Sequence, residues 1–220
     1  MHDLDRPVWA SLTTFHAPIA VGGALARRYP DDVNLFASTR DDDDAAAQAA
    51  LRDLLAPGQT AYVLQVPEIR VPPDCVEVRP GRGVQMVATR ALDDDAGDDV
   101  HALGDVDAAE MLALARLTKP GPFLARTHTM GAFIGVRIDG RLAAMAGERM
   151  RFPGHTEISG VCTHPDFRGR GLARRLSAIV GARIQARGDR PFLHAWAATA
   201  RRSRSTKRWA SRCARPCMHR

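Results

Sequence analysis

TEISGVCTHPDFRGRGLARRL, residues Thr156 to Leu176, carries the turn on which the fold depends. A strand-like run stops at Pro165, and the chain then loops through Arg168-Gly169-Arg170-Gly171-Leu172-Ala173. Beyond the loop, Leu172, Leu176, Ile179, Val180 and Ile184 fall on one face of a helix whose other face is rich in arginine. A loop that opens a helix in this way leaves backbone N–H groups unpaired at the positive end of the helix dipole, which suits a phosphate. Glycines at 169 and 171 let the main chain approach such a ligand without a Cβ in the way, and Arg168 and Arg170 add direct charge. Two familiar phosphate loops do not fit: Walker A needs Gly-Lys-Ser/Thr, and the dinucleotide pattern needs glycine where Arg174 stands. Taken alone, the loop is also compatible with a plain glycine-rich turn bearing surface arginines.

Outward from this stretch the pattern continues. DVDAAEMLALARLT reads as an amphipathic helix, with Asp107 and Glu110 spaced as a capping box. GAFIGVRIDGRLAAMAGERM reads as a hairpin turning at Asp139-Gly140, the pair a type I′ turn favours. RPFLHAWAA, after the glycine-loop helix, is a further short strand. Upstream, LDDDAGDDVHALG has no apolar period over most of its length and divides the chain, so residues 92–102 are expected to be an acidic linker. Residues 1–91 then form a smaller α/β region of undefined role. It has strands expected at Thr60–Val66 and Gly83–Thr89, and a helix from Asp44 to about Ala56, stopped by Pro57-Gly58.

Arg168-x-x-Gly171-x-Ala173, lying between a strand ending in GVCTHP and an amphipathic helix, resembles the (Gln/Arg)-x-x-Gly-x-(Gly/Ala) signature of the GNAT N-acetyltransferases. The likeness extends from about Leu103 to Ala198 and is greatest to the bacterial subgroup resembling glycine N-acyltransferases. It implies an α/β fold with a central mixed, mostly antiparallel sheet flanked by helices, and a GNAT domain over residues 103–200. It also implies acetyl-CoA as co-substrate. The pyrophosphate would rest on the backbone of Arg168, Gly169, Arg170, Gly171, Leu172 and Ala173, and the pantetheine arm would run beside Val161, Cys162 and Thr163. Direct transfer to an amine of a small molecule, amino acid or peptide is the expected reaction. Glu157, eleven residues before Arg168, is the expected general base, since some members of the family carry a catalytic Glu at that spacing. As a solvent-facing or structural carboxylate the same residue would have no catalytic part. Glu148 is a second candidate, Cys162 is read as core packing, and His194 as a candidate lining residue of the acceptor cleft. A CoA-binding module without turnover is the alternative from a different class. No metal is expected, because the histidines are not spaced as ligands.

The chain carries a net charge of +6, but residues 201–220 hold eight Lys or Arg and no acid. The remainder has 23 basic against 25 acidic residues, a net of −2, so nucleic-acid binding rests on the tail alone and is not expected. Four cysteines and no secretory or membrane-spanning pattern suggest a reduced, cytoplasmic protein, as a monomer or homodimer with an amine acceptor as partner. The tail supplies neither the short Tyr-bearing helix nor the Leu-Gly-Phe turn the family usually has there. A basic arm, a cluster of Cys213, Cys217 and His219, and a shifted reading frame are the three accounts. GC-rich codons for Arg201 onward, read two bases later, spell Ala-Ile-Ala-Leu-Tyr-Glu-Ala-Leu-Gly-Phe. The shifted frame is therefore preferred, with a disordered tail and weakened stability and activity as its consequences.

Overall fold

The computed structural model describes residues 2–66, 68–78, 81–196 and 215–219, giving only the backbone at Arg82 and over 215–219. In chain order the strands are β1 (Val21–Gly22), β2 (Ala26–Arg28), β3 (Ala37–Thr39), β4 (Leu64–Gln65), β5 (Gly81–Val87), β6 (Val100–Leu103), β7 (Phe133–Ile138), β8 (Arg141–Phe152), β9 (His155–Thr163), β10 (Arg190–Trp196) and β11 (Arg215–His219). The α-helices are α1 (Pro7–Thr13), α2 (Ala45–Asp53), α3 (Ala108–Thr118) and α4 (Leu172–Ala186).

The turn between β7 and β8 forms as its sequence dictates: Asp139 and Gly140 take φ of 51° and 76°, both in the left-handed region a type I′ turn requires. From this hairpin the sheet grows through antiparallel β9, and then through β10, which is parallel to β9. A parallel partner needs a long crossover, and α4 supplies it. Among the described residues the order is β4-β11-β5-β10-β9-β8-β7-β6, an 8-stranded mixed sheet, with β1-β2-β3 as a separate small sheet.

Side chains on successive strand residues point to opposite faces, and the two helical layers use this alternation. Leu176, Ile179, Val180 and Ile184 of α4 pack on Ile134, Ala144, Ala146 and Ile158. Met111, Leu114 and Ala115 of α3 pack on Phe133, Leu142, Met145 and Cys162 of the other face; Leu142 and Cys162 reach it because the ladders shift register between them and Ala144 and Ile158. This is a mixed α/β sheet flanked by helices, the fold expected from the sequence.

Several local expectations need correction. Asp107 and Glu110 do not make a capping box. The Gly104 N–H donates to Asp107, whereas Glu110 accepts from the Leu142 N–H and from Arg137, tying α3 to the hairpin. Residues 92–102 are not a free linker: β6 starts at Val100 and pairs with β7. The acids before it meet the arginine face of α4, with Asp99 gripping Arg175 through two 2.7 Å contacts and Asp94 on Arg183. Nor do the first 91 residues stand apart. They supply β4 and β5 to the main sheet, and Val8, Leu12, Tyr29 and Phe36 share one core with Met150, Phe152 and Phe192. Expected strand Thr60–Val66 shortens to Leu64–Gln65, and the second shifts to Gly81–Val87. The disorder and shifted-frame expectations for 201–220 fall mainly on residues outside those described; within that span, Arg215–His219 run as β11 between β4 and β5.

The β9–β10 ladder is short. It pairs Arg190 with His155, Pro191 with Thr156 and Phe192 with Glu157, after which β10 continues along β5 while β9 stays with β8. The two strands thus form a fork. At its open end β9 is irregular: Gly160 has φ of 63°, and the β8–β9 register shifts between Met145 and Gly147. Phe133 supports the irregularity from below, since a Cβ on Gly160 would lie 2.7 Å from its ring and one on Gly147 only 2.4 Å. Gly147→Ala is accordingly expected to destabilise the protein by about 1–3 kcal/mol, the usual cost of overpacking. Urea unfolding measures it, and an unchanged midpoint would show that Phe133 yields freely.

Candidate active site

One cleft of about 590 Å³ gathers every residue expected to bind the co-substrate. Its floor is Val161, Cys162 and Thr163 of β9, its end is the loop from Arg168 to Ala173, and Thr118, Pro120, Phe167 and Arg174 complete the wall. Gly169 and Gly171 have φ of 80° and 77°, a conformation other residues adopt only with strain, and no atom lies within 4 Å of where their Cβ would be. The main chain is therefore bare towards the cleft. Leu172 begins α4, whose first-turn N–H groups have no helical acceptor; Arg175 is the first whose N–H donates back, to the Gly171 carbonyl at 3.0 Å. Arg168, Arg170 and Arg174 are exposed and, among the described residues, form no ion pair, in contrast to Arg175 and Arg183. The Arg170 guanidinium lies over the Phe167 ring at 5.4 Å, which holds it at the mouth. A bare backbone, a helix N-terminus and uncommitted cations together suit a di- or polyphosphate.

Cys162 is buried, and burial pushes its thiol up to about 11, with a Thr118 hydrogen bond acting weakly in the other direction. It stays protonated at neutral pH and is no nucleophile there. Packing with Met111 and Met145 is its role in this fold.

Glu157 departs from its expected role as an accessible base. Its side chain is fully buried, with one oxygen held by Arg149 Nε at 2.8 Å and the other by Arg149 Nη2 and His194 Nδ1 at 2.7 Å. Burial alone would raise its carboxyl, but the Arg149 charge and the hydrogen bonds from Arg149 and His194 outweigh that and bring it down to about 2. A group that takes a proton from an incoming amine must be reachable and must hold protons near neutral pH. Glu157 meets neither condition. Glu148 is also committed, to Arg187 at 2.9 Å.

Glu157 belongs instead to a polar row across four adjacent strands. Arg149 of β8 grips Glu157 of β9, Glu157 accepts from His194 of β10, and His194 Nε2 meets the Gln85 amide of β5 at 3.1 Å. Phe36 covers the Arg149 guanidinium at 4.8 Å, and the Leu4 carbonyl accepts from Gln85. Sequence reasoning passed over Arg149 and Gln85. For Gln85 the signal was there, a polar residue between apolar neighbours in a strand run, a position that demands a partner; Arg149, beside Glu148 and near Arg151, carries no such local mark.

The row makes folding acid-sensitive. Glu157 loses proton affinity on folding, so it stabilises the native state at pH above its ordinary value of 4.5. That contribution is expected to fade as pH falls from about 4.5 towards 2. Urea midpoints measured across pH 2 to 6 test this; a Glu157→Gln variant with the same acid limb as the parent would locate the effect elsewhere.

The fold and the cleft define a class, and comparison with known proteins names it. A family model described as FR47-like protein matches residues 133–206, from β7 past β10. The crystal structure of a GNAT-family protein from Novosphingobium aromaticivorans is 39% identical, with 100% of this chain and 97% of that one covered and a TM-score of 0.91. A GCN5-related N-acetyltransferase from Kribbella flavida shares the fold at 19% identity and a TM-score of 0.63, covering 100% and 95% of the two chains. So does a GNAT-family acetyltransferase from Colwellia psychrerythraea, at 12% identity and 0.54 over 95% and 88%. No curated protein matches. The chain belongs to the GNAT acetyltransferase family.

Proposed function

We propose that this protein is an acetyl-CoA-dependent N-acetyltransferase that acts on an amine of a small molecule, amino acid or peptide by direct attack. The carrying observation is the single cleft that joins the bare loop Arg168 to Ala173, three uncommitted arginines and the free side of β9 at Val161–Thr163. GNAT acetyltransferases use acetyl-CoA as co-substrate, and its thioester would supply the acetyl group. The loop amides with Arg168, Arg170 and Arg174 would hold the phosphates, and the main chain of Val161, Cys162 and Thr163 would hold the pantetheine amides as a neighbouring strand does. The protonated state of Cys162 favours attack by the amine itself over an acyl-enzyme.

The alternative is a CoA-binding module without turnover. Titration calorimetry with acetyl-CoA, followed by CoA release with a panel of amines, separates the two. Binding with amine-dependent release is the expected result, binding alone supports the module, and no binding removes both. Among the described residues no helix is long and apolar enough to cross a membrane, which accords with the proposed cytoplasmic location. The shifted-frame reading of the tail is tested by nucleotide sequencing. A coding string that cannot spell Leu-Tyr-Glu and Leu-Gly-Phe in another frame removes it.

A further inference from the structure

We infer that His194 is the proton acceptor for the attacking amine, with Glu157 as its positioning residue and Gln85 covering the accepting nitrogen until substrate arrives; this rests on the acetyl-transfer reading above.

The argument begins with register. β9 and β10 last pair at Phe192 and Glu157, and beyond that point the strands separate. Continued along the fork, the same register would set His194 opposite Ser159, one residue before the irregular Gly160 and two before Val161 on the cleft floor. Among the row's ionisable groups, His194 is thus the one set on the strand that leaves β9 at the fork. Glu157 and Arg149 lie behind it on β9 and β8, locked to each other.

Hydrogen bonding then fixes the proton. Glu157 is a carboxylate and only accepts, so the 2.7 Å contact requires His194 Nδ1 to carry the hydrogen. Nε2 is left with a lone pair, which accepts from the Gln85 amide at 3.1 Å. This orientation is the one an imidazole needs to take a proton: a buried anion behind Nδ1 stabilises the imidazolium as it forms. Gln85 is not stranded by the change, because its amide also donates to the Leu4 carbonyl at 2.8 Å, the shorter of its two contacts. The His194 side chain is 5% exposed, so rotation of Gln85 is what would open it.

In the transfer, the amine nitrogen bonds the thioester carbon, the carbon–sulfur bond breaks and its electron pair stays on sulfur. The proton shed by the nitrogen passes to His194 Nε2 and is later released to solvent or to the thiolate. The groups facing His194 are Glu157 from β9, with Arg149 behind it on β8, the neutral Gln85 from β5 and Phe192 from its own strand. From the residue that follows β2, Tyr29 faces the Glu157–Arg149 pair; burial raises its hydroxyl far above neutral pH, so it does not titrate with the histidine.

His194→Asn keeps a donor towards Glu157 and removes the accepting nitrogen. Full-chain protein carrying this change is compared with wild type by acetyl-CoA calorimetry and by amine-dependent CoA release from pH 6 to 9. The expected result is acetyl-CoA affinity within about twofold of wild type and kcat lowered by about 10²-fold or more, the scale of general-base catalysis. Glu157→Gln supplies the second readout. Losing the carboxylate makes the imidazolium less stable, so the acidic limb of the rate profile is expected to move to lower pH, which a purely structural role would not do. Active wild type with an unchanged profile in His194→Asn overturns the assignment and leaves acetyl transfer standing. Should His194→Asn fail to fold, an acidic limb unmoved in Glu157→Gln overturns it equally. Wild type that binds acetyl-CoA but releases no CoA with any amine overturns both readings together.

Discussion

Gly171→Glu is expected to abolish measurable acetyl-CoA binding, with affinity falling more than about 100-fold, or roughly 2.7 kcal/mol. Gly171 sits at φ of 77° immediately before α4, with nothing within 4 Å of its Cβ position, so a side chain there would project into the open end of the cleft. The fold should tolerate the change better than the ligand does. A negative charge at a helix N-terminus favours the dipole, which offsets part of the backbone strain. It would, however, occupy the positive field proposed to hold the phosphate and would repel that group. Gly171→Ala separates strain from charge and is expected to lose much less affinity. Calorimetry on folded protein decides the matter, and near-wild-type affinity in Gly171→Glu would remove the phosphate assignment of the Arg168 to Ala173 loop.

Arg149→Leu is expected to cost about 3–5 kcal/mol of folding stability, the scale for leaving one member of a buried ion pair without its partner. Arg149 and Glu157 are both buried and joined by two short hydrogen bonds. With the guanidinium gone, burial would dominate at Glu157 and push its carboxyl above the ordinary value instead of below it. The loss should therefore shrink as pH falls and the carboxyl is protonated, opposite to the acid limb of the parent. Adding Glu157→Leu removes the stranded charge and is expected to restore a large part of the stability, since apolar replacement of a whole buried pair is often neutral or better. Urea unfolding of the single and double variants at pH 7 and pH 5 measures these effects. A single variant within about 1 kcal/mol of wild type would mean that water reaches Glu157.

Local patterns determined much of this protein from sequence alone. The Asp139-Gly140 turn, the apolar face of α4 and the glycines at 169 and 171 each answer to constraints within a few residues, namely left-handed backbone, helical period and the absence of a Cβ. Those constraints act wherever the segment lies, so the bare glycine loop and the order of elements from α3 to β10 could be read directly. Tertiary structure decided what each polar side chain faces. Spacing put Glu157 at a base's position, but whether a carboxylate is a base or a clamp depends on what desolvates and pairs it, and Arg149 and His194 come from neighbouring strands. The acids of 92–99 looked like part of a linker for the same reason, their partners Arg175 and Arg183 lying 76 and 89 residues away in sequence on α4. Gln85 and Leu4 reach the fork only because β5, from the first part of the chain, completes the sheet beside β10. Strand pairing across that distance leaves no local trace beyond an apolar run, so the fold alone sets a histidine between a buried carboxylate and an amide.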